Sequence, residues 1–163
     1  MILVLLGTQD KPFTRLLDAI QDCIDRGIIK EEVVVQAGHT KYESKDMEIF
    51  GLVPSEKYDE LMKSANLIIT HGGVSSIISG LKKNIPVIAA ARLKEHGEHM
   101  NDHQLEIIDK FAEEGHILAL NDFSELDKIL EKSKKFKAKK YISTTNKVVE
   151  LIENYIENKD RRD

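Results

Sequence analysis

Short, almost unbroken apolar runs alternate along this chain with longer stretches in which apolar residues recur every three or four positions. The short runs are MILVLL (1–6), EVVVQA (32–37), NLIIT (66–70), PVIAAA (86–91) and HILAL (116–120). Continuous rather than alternating hydrophobicity predicts strands buried on both faces, as in a parallel sheet covered by helices. MEIFGLV (47–53) is a weaker sixth candidate. The longer stretches predict helices over 12–26, 55–64, 73–83 and 102–114, a fifth beginning near Asp122, and a last one over 144–158 with Val148, Leu151, Ile152 and Tyr155 as its stripe. Pro12 suits a first helical turn, and Gly27 and Gly115 suit helix stops. The alternation predicts an α/β fold: a single Rossmann-like, doubly wound parallel sheet. Neither an internal repeat nor a Pro/Gly/Ser linker interrupts it, so the expected domain is 1–158, with 159–163 as a frayed tail.

Composition narrows the function classes. The chain has 163 residues, 41% apolar and 32% charged, as a soluble globular domain would. Its formal net charge of −4 gives no electrostatic footprint for nucleic acid. A lone Cys23 excludes an internal disulfide, fits a reducing compartment, and falls on the apolar stripe of the first helix as an inert buried thiol. The N-terminal apolar run lacks a basic flank and reads as a strand rather than a signal peptide. No segment reaches the ~20 apolar residues that span a bilayer, so work at a membrane implies recruitment.

In open parallel sheets, ligands bind beyond the carboxyl ends of the strands. Four such ends carry candidate chemistry. After the first strand, GTQDKPF offers Gly7 for a tight turn and Thr8 and Gln9 as hydrogen-bonding groups; a plain βα turn would also need the glycine. After the second, His39 and Lys41 are ligand groups or a solvated loop. After NLIIT, the stretch THGGVSSIISG places His71, Gly72 and Gly73 at a strand-to-helix junction. There the amides of Gly73, Val74 and Ser75 suit an anion, and glycine permits close approach. After PVIAAA come Arg92, His96, Glu98, His99, Asp102, His103 and Gln104. The three histidines raise the question of zinc, but no H-E-x-x-H pattern occurs. Asn101 and Gln104 also fit a helix capping box.

GTQDKPFTRLL, THGGVSSII and PVIAAARLKEHGEHMNDHQLE, in that order and each at a strand end, resemble the nucleotide-sugar half of GT-B glycosyltransferases of the family 28 C-terminal-domain type. The chain is most similar to the small stand-alone subunits of two-component bacterial exopolysaccharide glycosyltransferases. It is more distantly similar to the dolichol-pathway subunit that adds the second N-acetylglucosamine. The resemblance implies a UDP-sugar donor, an inverting transfer and no obligatory metal or other cofactor. It implies that Gly7 and Thr8 lie by the diphosphate and that His71 to Gly73 face nucleotide and phosphates. Asp102, His103 and Gln104 would face the donor sugar and nucleotide, with Arg92, Glu98 and His99 in the same block. Two departures stand out. Ser79 occupies the place of an acidic residue that holds the ribose, and Val74 and Ser75 replace a small Ala-Gly pair. A serine keeps a hydrogen bond there without the strength of a carboxylate.

Inverting transfer requires a base for the acceptor hydroxyl and stabilisation of the departing UDP. Helix amides at 73–75, Arg92 and a protonated His71 are candidates for the second task. The chain is long enough for one of the two GT-B halves. The resemblance therefore implies a membrane-anchored partner subunit that binds a polyprenyl-diphosphate-linked acceptor and holds the protein at the inner face of the plasma membrane from the cytoplasm. The base is on that partner, or is His99 or His103. The transferred sugar is a hexose: galactose, glucose or N-acetylglucosamine. KILEKSKKFKAKKY (128–141), with seven lysines, is a solvated helix end or an attraction to anionic lipid. The alternatives are a non-catalytic enhancer of a partner transferase and an unrelated metal-assisted hydrolase.

Overall fold

The computed structural model describes residues 1–142. The helix predicted over 144–158, the domain limit at 158 and the tail 159–163 lie outside them. Six parallel strands form one sheet: β1 (Ile2–Leu5), β2 (Val33–Gln36), β3 (Glu48–Phe50), β4 (Leu67–His71), β5 (Val87–Ala90) and β6 (Leu118–Ala119). Their order is β3-β2-β1-β4-β5-β6. The weak candidate at 47–53 is therefore a genuine edge strand, shortened to three residues. The helices are α1 (Thr14–Asp25), α2 (Ser55–Ser64), α3 (Val74–Lys82), α4 (His103–Glu113) and α5 (Leu126–Ser133).

The predicted doubly wound sheet is what the chain forms, and the reason is visible in its two cores. Alternate strand residues face opposite sides. Ile2, Val4, Val33, Val35, Ile69 and Ile88 pack with Phe13, Leu16, Leu17, Ile20 and Leu130 on one face. Leu3, Leu5, Val34, Ile68, Val87 and Ala89 pack with Met62, Ile77, Leu81 and Ile108 on the other. In the four inner strands nearly every residue is buried whichever way it points, which is why those runs lack alternation. Cys23 sits in the first core as an unpaired, buried thiol. Burial raises its pKa, as expected of an inert group.

Two boundaries differ from expectation. Helix α1 begins at Thr14 rather than at Pro12, because the amide of Phe13 donates to the Thr40 hydroxyl across the β2 loop (3.1 Å). The helix near Asp122 opens with a 3-10 turn, Phe123–Glu125, which Asp122 caps by accepting from Ser124 N at 2.9 Å. Beyond α5 the chain continues without regular structure to Ile142, tied to the end of α4 by a bond from Lys139 N to Gly115 O and by Tyr141 stacking with Phe111 and His116. Among the described residues, no helix is long and apolar enough to cross a membrane.

The position of α3 depends on Gly80. A Cβ there would meet Val87 Cγ2 at 2.6 Å and Ile68 Cδ1 at 2.9 Å, so the helix lies directly on β4 and β5. Gly80→Val is expected to destabilise the fold by about 1–3 kcal/mol through overpacking. A lowered urea midpoint at unchanged m-value checks this.

Candidate functional site

The strand order reverses between β1 and β4, so their carboxyl ends open a crevice at the switch point of the sheet. One wall is the turn after β1. Gly7 has φ +76° there, Thr8 is exposed and Gln9 is half-buried. The other wall is the start of α3. Gly73 is its cap residue and no side chain caps it. The amides of Gly73, Val74, Ser75 and Ser76 have no acceptor among the described residues, as the first turn of an uncapped helix requires. The expectation of outward-facing amides at this junction therefore matches the geometry.

The reason for the glycines differs from the expectation. A Cβ on Gly72 would lie 2.6 Å from Gln104 Cβ, and one on Gly7 would lie 2.6 Å from His71 Nε2. A Cβ on Gly73 would also collide with the His71 ring. The missing side chains leave room for His71 and Gln104, not for a ligand.

His71 is held in one orientation. Its Nδ1 lies 3.2 Å from the carbonyl of Leu5, which has no proton to give, so Nδ1 carries the hydrogen and donates. The Thr70 hydroxyl donates to the same carbonyl at 3.0 Å. Nε2 is left with its lone pair, between the Gly7 turn and Gly73, and has no partner among the described residues. Burial lowers the His71 pKa to about 4, opposed by the Leu5 bond and reinforced by the charges of Arg92 and His99. The ring of the unliganded protein is thus neutral near pH 7.

Arg92 is fully buried and presents no surface to a ligand. Its guanidinium donates to the carbonyls of Leu6 (2.6 Å), Lys11 (2.7 Å) and Glu98 (3.4 Å), and lies 4.8 Å from the centre of the Phe13 ring. It is a frame for the β1 and β5 loops rather than the expected phosphate-binding cation. Burial lowers its pKa, with Glu98 acting against that. Glu98 is also buried, in an ion pair with Arg15 (2.8 Å) and accepting from Leu93 N (3.0 Å). Arg15 was not anticipated from the sequence; an arginine in a helix stripe looks like a surface charge, and only the fold brings it to Glu98 and, at 4.0 Å, over the Phe123 ring. The other functional-looking polar group that sequence reasoning missed is Gln36, whose Oε1 at the end of β2 is buried without a partner. Its only signal was a polar residue closing an apolar run.

Gln104 replaces the expected capping box with another role. Its Oε1 accepts from the amides of both Gly72 and Arg92, each at 3.0 Å, and so staples the β4 end to the β5 end. With Oε1 committed, its amide hydrogens face away from those two bonds. Asn101 Oδ1 instead accepts from His103 N (3.2 Å), and Asp102 Oδ1 from Lys94 N (2.8 Å). The three histidines do not converge. His96 lies beside Glu95, His99 Nδ1 bonds the Asn101 backbone, and exposed His103 lies 3.7 Å from Glu106. Among the described residues, no three His, Cys, Asp or Glu side chains are placed to hold a metal ion. Ser79 sits half-buried on α3 and donates to Ser75 O at 2.8 Å. His39 and Lys41 are exposed on the β2 loop. The lysine run divides between α5, where Lys128 pairs with Glu125 and Lys134 with Glu131, and the irregular segment beyond it.

One doubly wound sheet with an amide-lined crevice at its switch point is the architecture of the nucleotide-binding half of a GT-B glycosyltransferase. The chain belongs to the glycosyltransferase family 28 C-terminal domain family, whose model matches residues 1–157. It is 29% identical over 97 residues to the UDP-N-acetylglucosamine transferase subunit ALG13 of Candida glabrata, a match spanning 59% of this chain and 46% of that protein. The chain thus spans about half the length of the curated relative it matches. In structure it is similar to ALG13 in solution (TM-score 0.57, 20% identity, 93% of each chain). It is likewise similar to UDP-GlcNAc 2-epimerase of Methanocaldococcus jannaschii (TM-score 0.63, 16% identity, 94% of this chain and 45% of that one). Acinetobacter baumannii MurG matches with TM-score 0.54 and 12% identity, over 81% of this chain and 41% of that one. At these identities the structural matches establish the fold.

Two outcomes follow from the geometry. Between pH 6.5 and 4 the unfolded chain takes up a proton at His71 and the folded chain does not. Stability therefore falls as pH drops through that window, by about 3 kcal/mol for this residue, and is unaffected by it above pH 6.5. His71→Asn keeps a donor for Leu5 O and is expected to flatten that slope in urea unfolding at pH 4.5 against pH 7. Gln104→Leu leaves two buried amides unpaired and is expected to cost about 2–4 kcal/mol, whereas Gln104→Glu retains the acceptor and most of the stability.

Proposed function

We propose that this chain is the donor-binding half of an inverting, UDP-sugar-dependent glycosyltransferase. The observation that carries the reading is the uncapped N-terminus of α3 facing the Gly7 turn at the switch point. Free amides and the helix dipole there suit a diphosphate. In this reading Gly7, Thr8 and Gln9 flank the diphosphate from one side and Gly73, Val74 and Ser75 from the other. His71 lies between them and Ser79 lies toward the ribose. Asp102, His103 and the free amide of Gln104 lie toward the sugar, with His99 behind them. Arg92, Glu98 and Gly72 hold the walls in place and make no ligand contact.

Departing UDP is stabilised by preorganised amides, the kind of contribution worth about 3 kcal/mol per donor when removed. The acceptor is a lipid-linked sugar presented by a membrane-anchored, acceptor-binding half, and the general base is on that half or is His99 or His103. The exposed position of His103 suits a base that reaches an acceptor arriving from outside the crevice. The sugar is a hexose; the relative's name makes N-acetylglucosamine the first to test, ahead of glucose and galactose. The product would be an exopolysaccharide or capsule glycan assembled at the cytoplasmic face of the membrane.

Calorimetric titration with UDP, with ADP as control, tests the reading, and absence of UDP-selective binding would remove it. Val74 provides a sharper probe, because it is 42% exposed at the first position of α3. Val74→Asp places a carboxylate where it favours the helix dipole and repels a diphosphate. UDP affinity is expected to fall at least tenfold while the melting temperature holds or rises.

A further inference from the structure

We propose that His71 takes up a proton from solvent when the diphosphate binds, so that the crevice acquires a cation at Nε2 together with its ligand. The inference rests on the diphosphate-binding reading above. The geometry leaves little choice. Nδ1 is committed to donating to the Leu5 carbonyl, so the neutral ring can present only a lone pair at Nε2. Nε2 stands between the Gly7 turn and Gly73, between the two walls that would hold the anion. A phosphate oxygen against that lone pair is repelled; against an Nε2–H⁺ it is held by a charge-assisted bond. Exchanging tautomers would set the Nδ1 lone pair against the Leu5 carbonyl oxygen 3.2 Å away and leave that carbonyl to the Thr70 hydroxyl alone.

The groups acting on the ring make the unliganded state neutral. From the β5 side, Arg92 opposes protonation, as does His99 from the loop that follows; β1 contributes the Leu5 carbonyl, and no carboxylate is among them. Of the candidate cations, Arg92 is sealed behind the wall, with its Nε unpartnered. An anion arriving at Nε2 supplies the missing counter-charge. One proton passes from solvent to Nε2 on binding and returns when UDP leaves; no covalent bond changes. Donor affinity is then proton-linked: it falls with rising pH at any pH lying between the free and bound pKa values of His71.

The experiment is titration calorimetry of the whole chain with UDP at pH 7 and pH 8, in two buffers of different ionisation enthalpy, for wild type and His71→Asn. At these values the terminal phosphate of UDP, with a pKa near 6, is largely ionised and contributes little. Wild type is expected to take up at least half a proton per UDP and to lose affinity several-fold from pH 7 to pH 8. His71→Asn is expected to show no uptake and affinities within twofold of each other. UDP binding by wild type with no buffer-dependent heat and no pH dependence overturns the inference and leaves the donor-binding reading intact. No UDP binding at all overturns both. Should the variant bind too weakly to measure, the wild-type buffer dependence decides alone.

Discussion

A cation buried without a carboxylate hydrogen-bonded to it is the constraint around which this end of the sheet is arranged. Arg92 is out of water entirely, and such a charge persists only where fixed dipoles replace its hydration. Three carbonyls do so, from Leu6 at the end of β1, Lys11 in the turn beyond and Glu98 in the β5 loop. The same demand determines neighbours far apart in sequence. Phe13 packs against the guanidinium, Phe123 packs against Phe13, Arg15 covers Phe123, and Arg15 pairs with Glu98. The circuit closes on the loop where it began. Losing one partner leaves a charge stranded in the interior, the costly direction of change for a buried pair.

The sheet itself was readable because the inner strands β1, β2, β4 and β5 are buried on both faces and the helices carry apolar stripes. Even the edge strand at 48–50 left a trace in MEIFGLV. The crevice was readable in location, since glycines and polar residues cluster where apolar runs stop. Roles were not readable, because they depend on which side chain fills which gap. Gly72 and Gly73 look like ligand-facing glycines in one dimension; in three, Gln104 and His71 occupy the space they leave. Gln104 looks like the capping-box partner of Asn101, three residues before it, and instead bonds amides 12 and 32 positions away. Arg92 and Glu98 look like ligand groups because they are charged near a strand end, yet burial assigns them to the frame. Arg15 was invisible because nothing local distinguishes a framework arginine from a solvated one.

Among the described residues, every buried polar side chain except Ser133 lies at or beyond a strand's carboxyl end: Thr40, Thr70, His71, Arg92, Glu98 and Gln104. Among the described residues, the rest of the core is therefore an apolar sandwich, and the desolvated polar side chains gather at one edge of the sheet. Such groups stabilise little in net terms, because each hydrogen bond largely offsets the dehydration of its partners. They restrict the backbone instead. The turn after β1 and the start of α3 are held from behind by Arg92 and Gln104, so the amides that line the crevice need not reorganise when an anion arrives.

This arrangement explains how a binding edge can be built with Arg92 sealed away and Arg15 committed to Glu98. Direct cationic contact would require a flexible, solvated side chain, and the order of the crevice would then depend on the ligand. Here the rigid donors are backbone amides fixed by α3, and the variable charge resides on one ring. His71 is suited to that division. Its Nδ1 belongs to the frame through Leu5, its Nε2 belongs to the crevice, and burial keeps it uncharged until an anion offsets the cost. The same ring that fills the gaps beside Gly7 and Gly73 therefore links the packing of the sheet edge to its electrostatics, and a substitution at any of the three positions alters both.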